Sequence, residues 1–196
     1  MPHSELLSAA MPVVELFNGL GVPYYVGGSV ASSAYGFGRT TLDIDFIAKL
    51  SSEHVAPFVA ALQDDYYVSG PMIDEAIRNQ SCFNVLQLAL MMKIDIFVAK
   101  DSDYDREAFR RIQKRAVTTD EPVVELFLAS REDVILSKLR WYRLGDCVSD
   151  QQWRDVQEVL KVQAQTLEWD YLRHWAADLG LTDLLERAID EAGVRQ

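Results

Sequence analysis

The chain has 196 residues and a mass of 22.2 kDa, with 49% hydrophobic and 25% charged residues, a profile that excludes collagen, coiled-coil and largely disordered classes. With 30 acidic residues against 19 basic ones the net charge is −11, so a nonspecific nucleic-acid coat or an anionic membrane surface is a poor partner. Cys82 and Cys147 lie far apart with no second Cys or His at metal-ligand spacing, which reads as two buried free thiols and no zinc site.

The opening MPHSELLSAA has no basic stretch followed by an apolar run, so no secretion signal is expected and the protein is placed in the cytosol. Leu6, Ala10, Val13, Val14, Phe17 and Leu20 recur at helical spacing behind Ser4 as a cap, and Pro12 is expected to kink or split that helix. Pro23-Tyr-Tyr-Val-Gly-Gly reads as a short strand entering a glycine turn, and SVASSAYGFG as a helix of small residues. Thr41 to Lys49 alternates cleanly, with Leu42, Ile44 and Phe46 on one face and Asp43 and Asp45 on the other, the pattern of a half-buried strand.

Ser52 begins an amphipathic helix through Val55, Phe58, Val59 and Leu62. A short strand at Tyr66 to Ser69 and a helix at Met72 to Asn79 follow. Phe83 to Leu90 and Lys93 to Ala99 are β-prone runs that suggest a hairpin even without a turn glycine. The segment VLQLALMM is far too short to cross a bilayer. Asp103 to Arg115 reads as a charged helix and Pro122 to Ala129 as a buried strand. Ser130-Arg-Glu-Asp has capping-box spacing, so a helix should run from there to about Leu144. From Ser149 onward the periodicity is all helical. The expected architecture is α/β (α+β), a mixed sheet of about five strands flanked by helices. Residues 1–129 are expected to form this core, and residues 130–196 a C-terminal helical bundle packed on it.

Asp43 and Asp45 stand two apart on one strand, so their carboxylates leave the same face about 6–7 Å apart. Two acids side by side repel unless a cation lies between them; a solvent-facing strand shows the same alternation. Asp95, between Ile94 and Ile96, is either a solvent-facing residue, a partner of Lys93, or the third member of a carboxylate cluster able to hold two divalent ions for phosphoryl chemistry. Oxygen ligands without His or Cys favour Mg²⁺ or Mn²⁺. Gly27-Gly28-Ser29 opens a helix whose free N–H groups can meet phosphate oxygens, although Ser29 serves equally as a cap.

The order GGS, RTTLDID, KIDIF resembles the nucleotidyltransferase superfamily shared with DNA polymerase β, and within it the small bacterial group that includes AbiE-type abortive-infection toxins. The likeness spans about Tyr24 to Val159. It implies that Gly28 and Ser29 bind the β and γ phosphates of a nucleoside triphosphate, and that Asp43 and Asp45 bind the metals. It further implies that Asp95 completes the metal site and helps deprotonate the acceptor hydroxyl. EDVILSKLRWYR followed by WRD is similar to that group's helical region, where a lysine reaches the triphosphate. This maps onto Lys138, with Arg143 and Asp155 as further candidates.

Arg39, four residues before Asp43, meets phosphate or pairs with an acid, and Lys138 on an amphipathic helix either reaches the cleft or faces water. Arg106, Arg110, Arg111, Lys114 and Arg115 form the one basic cluster, read as a solvated helix face because acids dilute it. The loop Gly145 to Asp150 lacks a basic run, which weighs against a tRNA-sized acceptor. The expected activity is metal-dependent transfer of a nucleoside monophosphate from a nucleoside triphosphate to a hydroxyl acceptor, whether small molecule, RNA or protein, with release of pyrophosphate. The alternatives are a catalytically silent nucleotide- or protein-binding module of the same fold, and a toxin held by an antitoxin protein.

Overall fold

The computed structural model describes residues 2–38, 41, 43–118 and 123–194. In chain order its elements are α1 (Pro2–Gly19), β1 (Tyr24–Val26), α2 (Gly28–Tyr35), β2 (Asp43–Ala48), a 3-10 turn at Ser52–His54, α3 (Val55–Leu62) and β3 (Tyr66–Tyr67). They continue with α4 (Gly70–Asn79), β4 (Cys82–Gln87), β5 (Met92–Val98), α5 (Asp103–Arg110), β6 (Gln113–Ala116) and β7 (Glu125–Leu128). Four helices close the chain: α6 (Arg131–Leu144), α7 (Asp150–Gln163), α8 (Trp169–Asp178) and α9 (Thr182–Ala192). The α/β class is therefore what the chain has. Among the described residues no helix is long and apolar enough to cross a membrane.

Two compact units share the chain, one of residues 1–27 and 40–109, the other of residues 28–39 and 110–196. In the first, five strands lie in the order β3-β4-β5-β2-β1. The β2–β5 pair is parallel and its neighbours are antiparallel. Alternation along these strands drives Ile44, Phe46, Phe83, Val85, Ile94 and Ile96 into the core, the period-2 consequence of pleating. Phe17 from α1 stacks on Tyr24 at 5.2 Å between ring centroids and meets Phe46 and Phe58 at 5.7 and 5.8 Å. Aromatic pairs of this kind add about 0.5–1.5 kcal/mol beyond the area they bury. The Tyr66 hydroxyl donates to the Ala9 carbonyl at 2.7 Å, tying β3 to α1.

In the second unit β6 and β7 form an antiparallel pair, and α6 to α9 bury Ile135, Leu136, Leu139, Val156, Leu172 and Leu185. Tyr142 packs on Trp153 at 4.9 Å, so that Trp153 serves the helical core.

The structure corrects several sequence expectations. Helix α1 begins at Pro2, leaving Ser4 inside it, and continues through Pro12. Pro12 is on the exposed side, where loss of a backbone donor is least costly, while Val13, Val14 and Phe17 keep the buried stripe. The charged helix stops at Arg110, and Gln113–Ala116 becomes a strand because β7 offers it a ladder; local helix propensity is too weak to override such pairing. The β4–β5 hairpin exists without a turn glycine. Met91 supplies the positive φ of 53°, and the Leu90 N–H donates to Gln87 Oε1 at 2.6 Å. The strand expected from Pro122 is seen from Glu125, with Pro122 outside the described residues. Both cysteines are free, as expected, but exposed rather than buried.

Candidate active site

In the first unit the parallel register sets Asp45 beside Asp95 and Asp43 beside Lys93, and neighbouring strands stand about 4.8 Å apart. The alternation that buries Ile44 and Phe46 on β2, and Ile94 and Ile96 on β5, turns all three acids to the opposite face. Asn84 of β4 stands opposite Asp95. The Thr41 hydroxyl, itself buried, donates to Asp43 Oδ1 at 2.6 Å, which fixes the first carboxylate of the pair. Lys93 Nζ lies 2.7 Å from Asp95 Oδ2. The hydrogen bond to Asp95 holds the Lys93 ammonium above its ordinary pKa, against some burial, with Asp43 and Asp45 adding to the effect.

Asp43, Asp45 and Asp95 thus share one anionic face with oxygen donors only, the ligand chemistry of a hard divalent cation. Positive charge already settles there in the form of the Lys93 ammonium. Among the described residues no three Asp, Glu, His or Cys side chains stand close enough to enclose a metal ion, and Asp95 is paired with Lys93. By donor chemistry alone the oxygen-only face suits Mg²⁺ or Mn²⁺.

The ladder between β1 and β2 extends one residue past Val26, with the Gly27 N–H donating to the Asp45 carbonyl at 2.9 Å. A side chain at Gly27 would begin 2.9 Å from Ile47 Cδ1, the movable end of that side chain. Gly28 follows with a φ of +53°, a left-handed conformation that glycine adopts without steric cost. Ser29 stands in the first turn of α2, and its carbonyl accepts a hydrogen bond from the Ser32 hydroxyl at 3.1 Å.

In the second unit Lys138 is 4% and Asp155 3% exposed, and Lys138 Nζ lies 2.6 Å from Asp155 Oδ2. The water-facing alternative for Lys138 is therefore excluded. Ser32, also buried, points its hydroxyl at the same carboxylate oxygen at 3.4 Å. Arg143 pairs with Asp183 of α9. Arg39 lies outside the described residues.

The basic cluster is largely matched with acids. Arg106 pairs with Asp101 and Asp103, Arg111 with Glu132 and Glu168, and Lys114 with Glu125. Arg111 also lies over the Tyr171 ring at 3.9 Å. Thr41 and Ser32 escaped the sequence reading. The only signals were a threonine two residues before Asp43 and a serine three residues after Ser29.

No family model and no curated protein matches the sequence. Among solved structures, the chain is similar to the antibiotic-resistance factor ANT(2'')-Ia, with a TM-score of 0.60 and 14% identity over 97% of this chain and 100% of that one. It is similar to an antigenic nucleotidyltransferase-like protein from Paracoccidioides brasiliensis, with a TM-score of 0.53 and 14% identity over 95% and 93%. The lincosamide antibiotic adenylyltransferase LnuA, bound to lincomycin, aligns at 14% identity over 79% of this chain and 96% of that one, with a TM-score of 0.46. Identity this low speaks to the course of the backbone rather than to the reaction, and by that course the chain has a nucleotidyltransferase-like fold.

Proposed function

We propose that this chain is a nucleotidyltransferase that moves a nucleoside monophosphate from a nucleoside triphosphate to a hydroxyl acceptor. The observation that carries the reading is the register of Asp45 beside Asp95, with Asp43 on the same face. A divalent cation held by Asp43, Asp45 and Asp95 would neutralise charge on the triphosphate and keep nucleophile and leaving group in line. Thr41 keeps Asp43 oriented for that task through its hydroxyl.

Gly28 allows close backbone approach, and the N–H groups and hydroxyl at Ser29 would hold β- and γ-phosphate oxygens. Asp95 would take the proton from the acceptor hydroxyl as the new oxygen–phosphorus bond forms at the α-phosphate and the α,β-anhydride breaks, releasing pyrophosphate. Lys93, about half exposed, has room to swing away from Asp95 for this step. The charge of −11 and the acid-paired basic cluster favour a small neutral or cationic acceptor over nucleic acid. Because the resistance factor of like fold is named for antibiotics, antibiotics are the first acceptors to test.

The test is incubation with each α-labelled nucleoside triphosphate and Mg²⁺, with separate arms for hydroxyl-bearing antibiotics, other small molecules, protein extract and RNA. Label transfer is expected in a small-molecule arm. Asp45→Asn should abolish it without loss of stability, because one of two repelling carboxylates is gone. Transfer to RNA, silenced by a co-expressed antitoxin, would instead identify an AbiE-type toxin. Nucleotide binding with no transfer in any arm would favour a silent binding module, whereas full transfer by Asp45→Asn would overturn the metal-binding role of the acid face.

A further inference from the structure

A buried ammonium and carboxylate are costly to keep away from water unless their geometry serves some end. Within the second unit Lys138 on α6 and Asp155 on α7 are almost wholly buried and form a 2.6 Å ion pair. The same Asp155 oxygen faces the Ser32 hydroxyl at 3.4 Å, and that hydroxyl also faces the Ser29 carbonyl at 3.1 Å. One hydroxyl proton is thereby shared between the first turn of α2 and a carboxylate whose orientation Lys138 fixes. The far end of α2 is held separately. The Tyr35 hydroxyl donates to the Ala129 carbonyl at 2.8 Å, and Gln163 Nε2 donates to the Tyr35 carbonyl at 2.8 Å.

We propose that Lys138, Asp155 and Ser32 form a positioning network that sets the first turn of α2 and, through it, the phosphate-binding geometry at Ser29. This deepens the nucleotidyltransferase reading and rests on it for the identity of the ligand. Lys138 acts in it through Asp155, not by touching the triphosphate. The logic is that of a supporting shell, in which groups that bind ligand are held by residues that do not. Ser29 projects from a short helix, so a small tilt of its first turn changes the direction of every N–H it offers to phosphate.

Two measurements separate the network from its alternatives. Hydrogen exchange of the peptide covering α2, in protein without nucleotide, is compared among wild type, Ser32→Ala, Asp155→Asn and the double variant Lys138→Met/Asp155→Leu. The double variant removes both charges together and should keep the fold, since an apolar replacement of a buried ion pair is often neutral or stabilising. Faster exchange in α2 is expected in all three variants, including the double variant at an unchanged melting temperature. Unchanged exchange in Ser32→Ala and the double variant would overturn the proposal.

Titration with ATP and Mn²⁺ forms the second arm, with an affinity loss of about tenfold to a hundredfold expected for Asp155→Asn and the double variant. If Lys138→Met alone weakens ATP while Ser32→Ala and Asp155→Asn bind as wild type, Lys138 grips phosphate directly and the network is refuted. Wild-type protein that binds no nucleoside triphosphate would defeat the functional reading instead, leaving the exchange arm to decide the network by itself.

Discussion

Cys82 sits on β4 as an exposed residue, yet desolvation local to its sulfur pushes the thiol up to about 11, with the carboxylates of Asp95 and Asp45 adding to the shift. Because only the thiolate is nucleophilic, a thiol with that pKa is about one part in a thousand ionised at pH 8. Cys82 thereby becomes a reporter of the acid face that needs no substrate. In a Cys147→Ser background, iodoacetamide should label Cys82 slowly at pH 8, with the rate climbing until the pH passes about 11. Asp95→Asn should speed labelling at pH 8, since it removes a negative charge beside the thiol. An unchanged rate in that variant would show that the Asp95 charge is not felt at Cys82. The shared face of Asp43 and Asp45 was legible from strand alternation, and Lys93 was legible as a neighbour two residues from Asp95. The alignment of Asp45 with Asp95 was not, because the parallel register of β2 and β5 depends on contacts between segments far apart in sequence. Thr41 and Ser32 were hidden for a related reason: small hydroxyl residues have many uses, and only a measured hydrogen bond selects one.

At the scale of the element, α6 follows its sequence signal closely, starting at Arg131 behind Ser130 and ending at Leu144. The cap differs in detail from the reciprocal box. Ser130 Oγ accepts from the Asp133 N–H at 3.1 Å and donates to Asp133 Oδ2 at 2.5 Å, while Asp133 Oδ1 accepts from the Tyr171 hydroxyl at 2.8 Å. Ser130→Ala therefore removes a cap and leaves a buried carboxylate short of a donor, for a cost of about 1–2 kcal/mol. Thermal melts should register this as a drop of roughly 2–4 °C per kcal/mol for a chain of this size. A variant that melts with wild type would show the cap to be dispensable. Strand β6 was illegible for the opposite reason. Its four residues continue a helical charge pattern, and only the partner strand β7 makes them a strand.

For the whole molecule, composition indicated an acidic globular protein and the order of predicted elements an α/β one, whereas the division into two units was not legible in either. Both units are discontinuous in the chain, since residues 28–39 belong with residues 110–196 while the segments on either side of them form the other unit. Neither unit can be completed by one unbroken stretch, so cooperative unfolding is expected, with different probes giving coincident denaturant transitions. The chain supplies its own optical asymmetry for checking this. Trp141, Trp153, Trp169 and Trp175 are all its tryptophans, and every one falls within residues 110–196. Intrinsic tryptophan emission therefore watches the helical unit and is blind to the strands that carry Asp43, Asp45 and Asp95, whereas far-UV circular dichroism sees both. A tryptophan curve that lags or leads the dichroism curve would mean that the units melt apart. In that event an inactive variant with native tryptophan emission could still have lost its acid-bearing sheet, and emission alone would miss it.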